Sequence, residues 1–125
     1  MTGLRPTNET SAIQRLREAF DEVSEIQHRR MIEKGFWTEG QERNFGETIA
    51  LIHSELSEAL EGHRHGNPMD EHCPLFTSVE IELADAVIRI LDLAGSKPNL
   101  FRIGAAIAAK MEYNLSRPRK HGKTC

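Results

Sequence analysis

Long apolar runs are missing from this 125-residue chain. No stretch approaches the roughly 18 apolar residues that a membrane span needs. Met1–Thr10 is polar and holds no apolar segment of signal-peptide type. Cysteine is scarce, with two residues, Cys73 and Cys125, in no Cys-x-x-Cys spacing. That excludes a disulfide framework and makes a reducing compartment the expectation. Together these absences predict a cytoplasmic protein with no membrane partner. Neither sign of charge dominates, since the formal net charge is −3. There is thus no general case for binding a nucleic acid polymer. Nor do Val, Ile or aromatic residues alternate with polar ones long enough to make a strand.

What is present reads as four helices in one all-α domain spanning residues 1–125, with 1–10 and 118–125 as flexible tails. A chain of this length supports one domain with a modest core. The first helix is expected from Ser11 to Lys34, capped by Thr10 or Ser11 and stopped by Gly35. Ile13, Leu16, Phe20, Val23 and Ile26 form its apolar stripe. The second is expected from Phe45 to Gly62, with Ile49, Ile52, Leu56, Ala59 and Leu60 facing the core. Gly66, Asn67-Pro68 and Pro74 mark a loop. Thr77 and Glu80 form a capping box for a third helix running to about Ala94. Val79, Leu83, Ala86, Val87, Ile90 and Ala94 are its apolar positions. A fourth helix is expected from Leu100 to Ser116, ended by Pro118. Helices of this length predict a four-helix, bundle-like arrangement.

Chemistry concentrates in two acidic pairs, Glu55/Glu58 and Glu82/Asp85. Each spans three residues, about 60° apart around its helix, at the border between apolar and polar faces. A purely solvating carboxylate more often lies opposite the core. Brought together by packed helices, these groups repel one another unless protons or cations neutralise them. Hard divalent cations take oxygen ligands and bridge carboxylates to phosphates. The bland alternative is that charged helices simply carry many acids, with Glu58, Glu61, Glu80 and Asp92 as bystanders.

A second feature is basic. Lys110, Asn114 and Arg117 stand at i, i+4 and i+7 and share a stripe that continues through Arg119, Lys120 and Lys123. Such groups suit phosphate oxygens, although a basic tail also favours a helix C-terminus. Trp37 is the only tryptophan. It lies in the loop before the second helix, beside Phe36, and can pack that loop against the bundle. Asn44 can cap the second helix. His63, His65, His72 and Cys73 share one loop but match no standard zinc spacing, so the loop reads as solvated.

The ordered set Glu55-x-x-Glu58, Glu82-x-x-Asp85 and Lys110-x-x-x-Asn114 resembles the MazG-like all-α nucleoside triphosphate pyrophosphohydrolases. The resemblance is to the small single-domain type and covers most of the chain. It implies cleavage of a (deoxy)nucleoside triphosphate between the α and β phosphates. Magnesium is the implied cofactor, with manganese able to substitute. Glu55, Glu58, Glu82 and Asp85 would be the metal ligands. Glu55, with Glu58, would orient or deprotonate the attacking water. Lys110, Asn114, Arg117 and Lys123 would hold the phosphates, and Trp37, Asn44 and His28 the base. The resemblance also implies a homodimer or homotetramer, with helices of two subunits framing each site. Two other readings stand beside it. One is a non-catalytic helical assembly module; the other is a narrow dUTPase or dCTPase on the same scaffold.

Overall fold

A computed structural model describes residues 7–38 and 42–118. Four helices account for their regular structure: α1 (Thr7–Glu33), α2 (Phe45–Arg64), α3 (Ser78–Ser96) and α4 (Ile103–Leu115). No strand occurs among the described residues; a single antiparallel bridge joins Met69 to Thr77. None of these helices is long and apolar enough to cross a membrane.

Several boundaries move for identifiable reasons. Helix α1 already includes Thr7–Thr10. Thr10 and Ser11 are therefore interior residues rather than caps, and the segment before Ser11 is not wholly a tail. The stop at Gly35 is as expected: its φ is 83°, a left-handed conformation natural to glycine, and its N–H reaches the Ile32 carbonyl. Thr77 caps α3 reciprocally with Glu80, as the sequence predicts. Helix α4 starts later than Leu100, because the Leu100 and Phe101 N–H groups both turn back to the Lys97 carbonyl.

The principal contacts run α2–α3–α1–α4, with α3 between α1 and α2. Small residues make this possible. A Cβ on Gly95 would lie 2.2 Å from the Ser24 carbonyl oxygen of α1, so only glycine allows this approach. Ile52, Ala59, Ala86 and Ala94 form the buried apolar core. Of the other expected core residues, Leu16, Val23, Leu56, Leu60, Leu83 and Val87 are exposed, Val87 at 50%. Periodicity correctly placed them on one stripe per helix, but each helix meets its neighbours along only part of that stripe. The remainder forms an uncovered apolar surface.

The connection from α2 to α3 is closed on itself. The Ser78 N–H bonds to Pro68 O, Asp70 N–H to Phe76 O, and Val79 N–H to the Asn67 side chain. This connection sets α2 antiparallel beside α3 and brings the two acidic pairs together.

Candidate functional site

Glu55 of α2 and Glu82 and Asp85 of α3 each place a carboxylate oxygen within 4.8 Å of the others. Glu55 is buried and Glu58 is exposed. Arg89, one turn beyond Asp85, donates from Nε to Glu55 Oε1 at 3.0 Å. That bond orients the Glu55 carboxylate.

Glu82 has no such donor. Its Oε2 is buried without a hydrogen-bond partner. Ionised carboxylates only accept, so a hydrogen bond between Glu82 and Glu58 or Glu55 needs a proton on one of the pair. Burial, reinforced by Glu58 and Glu55, accordingly pushes Glu82 from 4.5 up to about 8. Asp85 is also raised, first by burial and then by the charge of Glu55, with Arg89 opposing. Asp70, from the α2–α3 connection, adds to the negative field. A group of acids that retains a proton near neutrality is one that a divalent cation can occupy in the proton's place.

A cavity of about 370 Å³ opens beside these acids. Glu55 and Asp85 line it, and Lys34, Arg43, Arg89 and Asp92 share its wall. A second cavity, of about 550 Å³, is lined by His28, Trp37, Phe45, Leu93 and Phe101 among others. Phe45 and Phe101 stack with centroids 5.7 Å apart. His28 meets Trp37 edge-on at 4.7 Å. Arg43 lines both cavities, lying 3.8 Å over the Trp37 ring.

Comparison with protein-family models, with curated proteins and with solved structures returns no match.

The geometry therefore has to sort the sequence candidates by itself. It gathers Glu55, Glu82 and Asp85, and Glu58 is near enough to Glu82 to contribute to its raised pKa. It gathers Trp37 and His28 on one cavity wall. Asn44 is the N-cap of α2, its Oδ1 accepting from the Glu47 N–H at 2.9 Å. With that oxygen committed and Asn44 absent from the cavity wall, the cap is its observed role. Lys110, Asn114 and Arg117 do not line the acid cavity, because α4 packs on α1 and not beside the acids. Lys110 instead lies 4.6 Å from the Tyr113 ring. Lys123 is outside the described residues. In the histidine-rich loop, His65 pairs with Glu61 at 2.6 Å, and the Asp70 carboxylate accepts the His72 and Cys73 N–H groups.

Asp92 is the main correction. Far from a bystander, it is buried and accepts from Trp37 Nε1 at 2.9 Å. His28 Nδ1 lies 2.8 Å from its other oxygen, and Arg43 3.9 Å away. Arg43, Arg89 and Lys34 were likewise missed as cavity cations. A signal was available: Asp85, Arg89 and Asp92 recur at i, i+4 and i+7, a polar stripe at the core margin of α3.

Proposed function

We propose that this chain is a magnesium-dependent nucleoside triphosphate pyrophosphohydrolase of the MazG-like type, releasing pyrophosphate and a nucleoside monophosphate. The observation that carries the reading is the three-carboxylate centre with the unpartnered Glu82 oxygen, beside a cavity walled by cations. Surface acids need no such convergence.

Glu55, Glu58, Glu82 and Asp85 would hold the cation, whose charge would neutralise the triphosphate oxygens. Glu82 must lose its proton for that to happen. Arg89 engages one oxygen of Glu55, which would leave the second to orient the attacking water or accept its proton. Lys34, Arg43 and Arg89, which line the same cavity, would offer positive charge to phosphate oxygens. The aromatic cavity suits a flat base, for which stacking contributes roughly 1–3 kcal/mol.

A homo-oligomer belongs to the same proposal. Leu56 and Leu60 on α2, with Leu83 and Val87 on α3, are exposed at i, i+4 spacing on neighbouring helices. A second copy covering them would complete the core, and Lys110 and Asn114 would then be free to serve a neighbouring subunit's acids.

The test is pyrophosphate release from a panel of nucleoside triphosphates, with magnesium and with EDTA. Magnesium-dependent release with the monophosphate as co-product supports the reading. No release from any substrate by folded protein in its native oligomer overturns it in favour of an assembly module. A sharp preference for dUTP or dCTP would narrow it.

A further inference from the structure

The hydrolase reading needs carboxylates at the metal, yet α3 spends another buried acid elsewhere. Asp92 faces three donors from distant parts of the chain: His28 Nδ1, Trp37 Nε1 and the Arg43 guanidinium. Nothing in helix packing demands this. A carboxylate with 8% exposure is costly to bury unless its partners justify it.

Each of the three partners also lines the aromatic cavity. Trp37 is half-buried there, oriented at its Nε1 by Asp92 and overlaid by Arg43 at 3.8 Å. His28 stands edge-on to the same ring. With Nδ1 directed at Asp92, the imidazole turns its Nε2 edge away from that carboxylate. One carboxylate thus fixes the tilt of the indole, the orientation of the imidazole and the position of the cation shared with the acid cavity.

We propose that Asp92 is the positioning residue for the substrate's ring, setting which base the aromatic cavity accepts and where that ring stands relative to the carboxylate centre. This rests on the nucleotide reading above. Asp92 touches no reacting atom; it acts through Trp37, His28 and Arg43. Replacing it with Asn keeps the shape but removes the charge that orders all three donors together.

The experiment compares wild type, Asp92→Asn and Trp37→Phe. With magnesium chelated, the fluorescence of the single tryptophan is titrated with AMP, CMP, GMP, UMP and their deoxy forms, and with pyrophosphate as a ringless control. Wild type should show saturable quenching by ring ligands and none by pyrophosphate. Asp92→Asn should bind ring ligands about tenfold more weakly. Its KM should rise with kcat little changed, its ranking of bases should flatten, and its magnesium-induced melting shift should persist. Trp37→Phe, read by equilibrium dialysis, keeps a flat but smaller ring and loses the Nε1–H donor to Asp92. It should show the same direction of change even if Asp92→Asn folds poorly. Wild-type affinity and base ranking in both variants overturn the proposal, as does the absence of quenching by every ring ligand. Quenching without pyrophosphate release keeps the ring site and removes the hydrolase reading. Release with an unaltered base ranking in Asp92→Asn does the reverse.

Discussion

Helix α3 carries two acidic centres about two turns apart, and they solve the same electrostatic problem in opposite ways. Asp92 is surrounded by donors from α1 and from the connection before α2. Glu82 and Asp85 are surrounded by other acids, with Arg89 as the one basic partner bonded into the group. At the first centre the chain supplies its own counter-charge. At the second it leaves a proton on Glu82 that an external cation can replace. The same residue types on one helix are thus structural at one end and receptive at the other, according to what the neighbouring helix presents.

The largest effect comes from breaking the receptive centre. Asp85→Asn should lower kcat/KM for pyrophosphate release by roughly a hundredfold or more, as expected when one preorganised group at a charge-developing site is lost. Folding should be nearly unaffected, or improved, because a repelling charge has gone. Circular dichroism melts beside steady-state kinetics separate the two.

Next comes the self-satisfied centre, reached without touching Asp92. Gly95→Ala drives a methyl group to 2.2 Å from the Ser24 carbonyl oxygen and must push α1 off α3. Such overpacking costs about 1–3 kcal/mol, occasionally more. A chemical-denaturation midpoint checks this. Trp37 emission should shift as the His28–Asp92 contact loosens, while the α2–α3 acids keep their magnesium response.

A third, smaller effect is a pH trend that only the receptive centre should give. Folded Glu82 holds its proton to about 8, against an ordinary 4.5. Between those values the folded state binds a proton that the unfolded state has released. Metal-free stability therefore falls as pH rises through that window. On the proposed magnesium site, the cation would displace that proton, so its stabilising effect should grow over the same range. Thermal melts at pH 5 and 8.5, with and without magnesium, should show both slopes, and Glu82→Gln should flatten them.

The smallest change is expected away from either centre. His65→Ala removes an exposed contact with Glu61. It should alter stability by about 0.5 kcal/mol or less in a thermal melt.

The contrast also explains what was legible in the sequence. Glu55/Glu58 and Glu82/Asp85 could be read because both members of each pair lie on one helix, where covalent spacing fixes their relative direction. The Thr77–Glu80 cap and the Gly35 stop were legible for the same local reason. Asp92 was not, because its partners His28 and Trp37 lie 64 and 55 residues away. Nothing local says which helix will stand opposite. Lys110 and Asn114 share a stripe on α4, but nothing local says that α4 packs on α1 rather than beside the acids of its own chain. Leu56, Leu60, Leu83 and Val87 were correctly seen as apolar, yet periodicity does not say whether a neighbour in the same chain covers them.

The closed connection between α2 and α3 bears on the order of assembly. Its hydrogen bonds link residues at most a dozen apart, such as Asn67 and Val79. A helical hairpin of this kind closes a short loop, which forms faster than pairings distant in sequence. The mutually repelling acids are thus brought together by the quickest-forming contacts in the chain. The Asp92 clasp, bridging 64 residues to His28, closes afterwards. Divalent cations present during refolding should therefore act early, on the hairpin, and speed the folding arm rather than merely slow unfolding.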